Sequence, residues 1–280
     1  MKRKLGINMN FIGGIPQPEQ LRMAHDAGFE SFFTGSQDPA NIAALRTVAD
    51  ELGMEFETIH APFGGINNMW IAGMEYLNIY KAMRHSIDLA ADNGIPAVVT
   101  HVSSGWYPPG INDLGLQRFD EIVLYAADKG VKLAFENLRC IGNLSYFAER
   151  YEKLDTVRFC YDLGHEHCYT KTLQWMDVFC HRLICTHIHD NLGRDFEKVG
   201  SPDMHLLPFD GTTNYQRAID KMDEYGYRGP LTLEVGRGER YQDLSPEEFL
   251  KTCHERLERI AAMSKAPDPD DTPAEKAPLV

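Results

Sequence analysis

The sequence predicts a single (β/α)8 TIM barrel with its active site at the C-terminal rim of the strands. Strand-like and helix-like segments alternate eight times along 280 residues, which favours a closed barrel over an open sheet. The strand candidates are short and rich in Val, Ile, Leu, Phe and Thr, as parallel strands covered on both faces are. Several end in an acidic residue or a histidine, and in a barrel those ends meet on one rim.

The strand candidates are residues 4–9, 29–35, 54–61, 97–102, 132–137, 157–164, 184–190 and 230–235. Amphipathic stretches at 18–27, 39–52, 74–93, 113–129 and 246–263 read as helices. Four of them run into Gly28, Gly53, Gly94 and Gly130, and glycine suits the left-handed residue that ends a helix. A Rossmann-like sheet is the competing fold, but no G-x-G-x-x-G follows the first strand. The longest connections, 62–73, 103–112 and 191–214, are expected to wall a site. The barrel is expected over residues 1–263, followed by a Pro-rich, charged and disordered tail at 264–280.

A hydrophobic content of 43% supports one large core. Without an apolar run of about 18 residues, no transmembrane helix is expected. The basic start runs into a strand and lacks the apolar stretch of a secretory signal, so a cytoplasmic enzyme is the expectation. Six cysteines at irregular spacing, with no Cys-x-x-Cys pair, read as reduced thiols. The net charge of −13, from 28 basic and 41 acidic residues, disfavours nucleic acid as a partner. A small molecule fits better.

The chemistry concentrates at the strand ends. These read Glu57-Thr-Ile-His60, Val99-Thr-His101, Ala134-Phe-Glu136-Asn137, Cys160-Tyr-Asp162-Leu-Gly-His165, Thr186-His187-Ile-His189-Asp190 and Thr232-Leu-Glu234. Carboxylates crowded on one rim repel one another unless a cation neutralises them. Any one such residue is more often a hydrogen-bonded structural group; the joint pattern favours a metal site. Glu136, Asp162, His187 and Glu234 come from strands five to eight, and this donor set suits Mn²⁺, Zn²⁺, Co²⁺ or Mg²⁺. Strand period two lets His189 point the same way as His187.

Seven motifs extend the pattern: Ile59-His60-Ala-Pro62, Thr100-His101, Phe135-Glu136-Asn137, Asp162-Leu-Gly-His165, His187-Ile-His189-Asp190-Asn191, Asp203-Met-His205-Leu206 and Leu233-Glu234-Val235. In this order the chain resembles the xylose isomerase-like barrel superfamily over about residues 4–262. That superfamily contains sugar isomerases and epimerases, inosose-metabolising enzymes and the endonuclease IV DNA-repair enzymes. The resemblance implies metal ligation by Glu136, Asp162, His187 and Glu234, with Mn²⁺ or Zn²⁺ leading. His187 is preferred because Asp190 follows it by three residues, and His189 stays open as the rival. Glu136 and Glu234 match an acid/base pair, and His165 matches a histidine that contacts substrate oxygens. The implied activity is a divalent-metal-dependent sugar or sugar phosphate isomerase or epimerase, acting by proton transfer through a metal-bound enediolate.

His60, His101, His165, Asp203 and His205 match the remaining ligands of the trinuclear zinc site of endonuclease IV. The resemblance makes them, together with His189, candidates for additional metal or substrate binding. Trp106 and Arg237 are substrate-binding candidates, with Tyr107 beside them; packing (Trp106, Tyr107) and solvent exposure (Arg237) are the alternatives. Arg194 and Lys198 lie where they could meet an anionic group. The competing activities are a lyase or dehydratase on a keto-sugar, keto-inositol or 3-keto-glycoside, an AP endonuclease, and a non-catalytic polyol-binding protein. A homo-oligomer is compatible with the sequence.

Overall fold

Eight parallel strands form in a computed structural model that describes residues 2–170, 172–195 and 203–267. They are β1 (Leu5–Asn8), β2 (Ser31–Thr34), β3 (Glu55–His60), β4 (Ala97–Thr100), β5 (Lys132–Glu136), β6 (Val157–Asp162), β7 (Leu183–His187) and β8 (Leu231–Leu233). Their order is β7-β6-β5-β4-β3-β2-β1-β8. The two outer members close on each other through one residue. Ile188 donates its N–H to Thr232 O at 2.8 Å and accepts from Glu234 N at 3.0 Å. The fold is the (β/α)8 barrel expected from the sequence.

The helices are α1 (Gln17–Asp26), α2 (Pro39–Leu52), α3 (Tyr76–Asp92), α4 (Asp113–Asp128), α5 (Ile141–Arg150), α6 (Leu163–Tyr169), α7 (Trp175–Phe179), α8 (Tyr215–Glu224) and α9 (Pro246–Ala261). Local chemistry sets several starts. Asp38 caps α2 ahead of Pro39, Asn112 caps α4, and Ser245 with Glu248 makes a capping box on α9. The helices α1 to α4 and α9 match the amphipathic stretches of the sequence closely. Because α6 and α7 span only 7 and 5 residues, they are too short to show a helical period.

The barrel interior is divided. One side packs Val99, Ala134, Cys160 and Cys185 from β4 to β7. The other holds the buried carboxyl of Glu57 on β3, which accepts from the Thr232 hydroxyl at 2.7 and 2.9 Å. Gly6 makes that possible, since a Cβ there would lie 2.5 Å from Glu57 Oε1. Burial pushes the Glu57 carboxyl up to about 7, against the hydrogen bond from Thr232.

The chain after α9 turns back onto α8, where Ser264, Lys265 and Ala266 hydrogen-bond Asp223. Residues 268–280 of the expected tail lie outside the described residues. All six cysteines are free thiols. No helix among the described residues is long and apolar enough to cross a membrane.

Candidate metal centre

Glu136 ends β5, Asp162 ends β6, His187 ends β7 and Glu234 follows β8. Register brings them level: Glu136 lies beside Cys160, and Asp162 beside His187. Asn137 ties two of these ends together, its amide donating to Asp162 O at 2.8 Å and accepting from Asp162 N at 2.7 Å. Ligand atoms of Glu136, Asp162, His187 and Glu234 all lie within 4.8 Å of one another. His187 Nδ1 donates to Glu136 Oε1 at 2.7 Å and lies 3.5 Å from Glu234 Oε2. Phe33 stacks on the His187 ring and holds its plane.

His189 goes elsewhere. Its Nε2 lies 3.1 Å from Asp162 Oδ1, and its ring stacks on His205 at 3.9 Å between centroids. A Cβ at Gly164 would fall 2.0 Å from the His189 ring, so only glycine permits this approach of α6. Ligand atoms of His189 gather with those of His165, Asp203 and His205. In that group His165 Nε2 donates to Asp203 Oδ2 at 3.0 Å, and His205 Nε2 lies 3.3 Å from the same oxygen. A further group joins His60 and His101 to Glu136. His101 Nε2 donates to Glu136 Oε2 at 2.6 Å, with His60 Nε2 3.4 Å away.

Three of these imidazoles are oriented alike. Nδ1 donates to a backbone carbonyl in His60 (Ala61 O, 2.8 Å), His165 (Asn137 O, 3.1 Å) and His205 (Glu234 O, 2.8 Å). Each Nε2 is thereby turned toward a carboxylate cluster. Fixing one ring nitrogen on a carbonyl is how proteins orient metal-binding histidines. The donor chemistry and this orientation fit a divalent cation.

Asp190 serves the site from beneath. Its buried carboxylate accepts four backbone N–H groups, from Asn191 at 2.8 Å, Phe209 at 2.9 Å, Gly211 at 3.0 Å and Thr213 at 3.0 Å. Its own backbone exchanges hydrogen bonds with Leu206 at 2.8 and 2.9 Å. Those contacts hold the segment that presents Asp203 and His205.

Electrostatics follow from the crowding. Burial pushes Glu136 up, but the charge of His187 and the hydrogen bond from His101 outweigh it and hold the carboxyl well below its usual range. Asp162 is lowered despite its burial, by His165 and His189. Burial works against protonation of His165 and His205, yet Asp162 and Asp203 raise His165 to about 9. The Asp203 hydrogen bond and the Glu234 charge raise His205 to about 10. His101 is lowered by burial, which its Glu136 contact does not offset.

Two adjoining cavities open on the rim. One, of about 180 Å³, is lined by Glu136, Arg139, His165, Tyr169 and Asp203 among others. The second, of about 540 Å³, runs over β1 to β3 past Asn8, Phe33 and Ser36. His60, Phe63 and Glu234 border both.

The other sequence candidates lie further out. Trp106 packs edge-on against Tyr169 at 5.8 Å between centroids. Tyr107 is 94% exposed. Arg237 donates to the carbonyls of Leu244 and Gln242 and lines neither cavity. Arg194 donates to Tyr169 O at 2.8 Å, and Lys198 lies outside the described residues. Sequence reasoning passed over Phe63, Arg139 and Tyr169. Each stands three or four residues after a ligand-type residue, namely His60, Glu136 and His165, which is the signal that could have found them.

The model of the xylose isomerase-like TIM barrel matches residues 21–260. The chain belongs to that family. The chain is 29% identical over 262 residues to the Sinorhizobium fredii protein y4fM, covering 81% of each. It is 27% identical over 247 residues to a 2-oxo-tetronate isomerase of Haemophilus influenzae, covering 80% of this chain and 90% of the relative. The solved structure of the IOLI protein with a bound zinc atom superposes with a TM-score of 0.74 at 16% identity, covering 92% and 98%.

Proposed function

We propose that the chain is a divalent-metal-dependent isomerase or epimerase of a polyhydroxy carbonyl compound, a sugar or sugar derivative. One observation carries this reading: two carboxylates able to handle protons, Glu136 and Glu234, converge on His187 beside open cavities. The name of the Haemophilus influenzae relative supports it.

Glu136, Asp162, His187 and Glu234 would hold the cation, since their ligand atoms lie within 4.8 Å of one another; the IOLI protein, of the same fold, carries a zinc atom. The groups His60–His101 and His165–Asp203–His205, with His189 behind, offer places for further ions or for substrate oxygens. A bound divalent ion supplies Lewis-acid polarisation of a carbonyl and neutralises developing negative charge.

The chain's own residues divide the remaining work. The Glu234 side chain is 22% exposed and borders both cavities, while that of Glu136 is 1% exposed. Both Glu136 oxygens already face imidazoles. Glu234 is therefore the carboxylate placed to take a proton from the carbon beside the carbonyl. Isomerisation needs only this residue, which would give the same proton back to the neighbouring carbon. Epimerisation needs Glu136 to enter the reaction protonated and to deliver its proton to the opposite face, leaving Glu234 protonated and Glu136 ionised until solvent resets both. His165 binds substrate oxygens, and Phe63 walls the exchange from bulk water.

Solvent-deuterium incorporation tests this directly. The metal-loaded protein is expected to exchange the α-hydrogen of keto-sugars, their phosphates or keto-acids, and Glu234→Gln to lose that exchange even in excess metal that restores its metal content. Full turnover in both Glu234→Gln and Glu136→Gln would overturn the proton assignment. An unsaturated or cleaved product would instead identify a lyase or dehydratase, since elimination begins with the same proton abstraction.

The three ligand groups around Glu136 and Asp203 favour one second reading, phosphodiester cleavage by a multi-metal centre. Abasic-site DNA that fails to bind even at low ionic strength would remove it.

A further inference from the structure

A guanidinium also lines the smaller cavity. Arg139 follows β5 by three residues and borders the cavity with Glu136, His165 and Asp203. It forms no hydrogen bond or ion pair among the described residues, and its Nε is buried without a partner. What holds it is aromatic. Its guanidinium lies 3.6 Å from the Tyr169 ring centroid and 5.1 Å from that of Trp106. Trp106 carries Arg194 as well, at 4.6 Å, while Arg194 is tied to Tyr169 O.

Such an arrangement is unusual in a chain carrying a net charge of −13. Acidic groups are abundant, yet none among the described residues pairs with Arg139. Stacking fixes the guanidinium plane and leaves its in-plane N–H fork free, which is the geometry that recognises a planar or tetrahedral oxyanion by paired hydrogen bonds. The same ring that carries Arg139 donates its hydroxyl to Asp203 Oδ2 at 3.1 Å. Tyr169 thus sets the position of the cation relative to the His165–Asp203 group. The cavity thus combines one guanidinium, Arg139, with the carboxylates of Glu136, Asp203 and Glu234.

We propose that Arg139, seated on Tyr169 and Trp106, is a specificity residue that binds an anionic group of the substrate, a carboxylate or a phosphate ester. The substrate class is then an acidic polyhydroxy carbonyl compound, with its carbonyl and hydroxyls toward Glu136 and Glu234 and its oxyanion on Arg139. The volume of about 180 Å³ fits a short chain. This inference rests on the isomerase reading for the substrate's other end, but the anion subsite stands on Arg139 alone.

The test pairs charge with the absence of charge. Binding of D-erythronate, D-erythritol and inorganic phosphate is measured calorimetrically on the metal-loaded wild type and on Arg139→Gln and Arg139→Lys. Deuterium exchange is measured with a neutral ketose, its terminal phosphate and a keto-sugar acid. The wild type is expected to favour the acidic member of each pair by at least tenfold. Arg139→Gln should erase that preference through KM, with kcat, metal content and melting temperature little changed. Arg139→Lys should recover only part, because an ammonium lacks the planar fork.

Preference for erythronate over phosphate, or the reverse, identifies which oxyanion is used. Equal affinity for charged and neutral members, or a preference that survives in Arg139→Gln, would overturn the subsite. An anion preference without deuterium exchange in any compound would leave the subsite intact and overturn the isomerase reading.

Discussion

His187 Nδ1 lies 2.7 Å from Glu136 Oε1, and both side chains are almost entirely removed from solvent. The other Glu136 oxygen faces His101 and His60. One carboxylate therefore belongs to two candidate ligand groups at once. Glu136→Gln should lower metal content at both, whereas Asp203→Asn should empty only the group formed with His165 and His205. Metal analysis after dialysis distinguishes the two patterns. Equal losses in both variants would show that the groups do not bind independently.

Metal uptake should expel protons. Without a cation, His165 is raised to about 9 and His205 to about 10 by their carboxylate partners. At pH 7 both carry a proton, and an imidazole must lose one to offer its lone pair. Affinity for the ion should therefore rise with pH up to those values and level off beyond them. Proton release in weakly buffered solution at pH 7 should exceed one per ion in the wild type and fall in His205→Ala. Zero release would exclude these histidines as ligands.

Much of this arrangement was readable from strand ends. Parallel strands covered on both faces have little reason to end in Glu136, Asp162 or His187 unless a shared rim uses them, and the barrel closes as the alternation predicts. Strand period two could not separate His187 from His189. The fold puts them in different groups, His187 beside Glu136 and Glu234 and His189 against His205, and the glycine of the Asp162-Leu-Gly-His165 motif is what lets the His189 ring pack there. Arg139 escaped notice because its distinguishing property is the lack of an acidic partner, which only the folded chain reveals. Arg237 looked placed for substrate, yet its guanidinium is taken up by the carbonyls of its own loop.

Glu57 should give stability a measurable slope with pH. Its carboxyl is raised to about 7 in the folded barrel from an ordinary 4.5. Between those values the folded state holds a proton that the unfolded state has lost, so this group's contribution falls as pH rises through the window. The full effect is on the order of 3 kcal/mol. Glu57→Gln keeps an acceptor for Thr232 and removes the ionisation. Its stability relative to wild type, from urea unfolding with metal in excess, should increase from pH 4.5 to 7 and then plateau. A difference that stays flat across this range would mean that the carboxyl titrates normally.

Asp190 couples the barrel to the loop that bears the third ligand group. Four backbone N–H groups converge on its carboxylate, and hydrogen bonds to an ionised acceptor contribute about 1.5–3 kcal/mol each in favourable settings. Asp190→Ala strands those donors in a buried position. Because they are not independent, the expected loss is about 3–5 kcal/mol rather than their sum. The damage should be local in its chemistry. The stretch 203–213 should become sensitive to limited proteolysis, and metal held by His165, Asp203 and His205 should be lost first. Glu136, Asp162, His187 and Glu234 are anchored by strands, with Asn137 clamping β5 to β6, so their ion should be retained. Asp190→Asn keeps two acceptor positions on one oxygen and should fall between wild type and Asp190→Ala. If Asp190→Ala instead released every ion together while its far-ultraviolet circular dichroism stayed native, the ligand groups would have to be one cooperative unit, and the strand-anchored site could not persist without the loop.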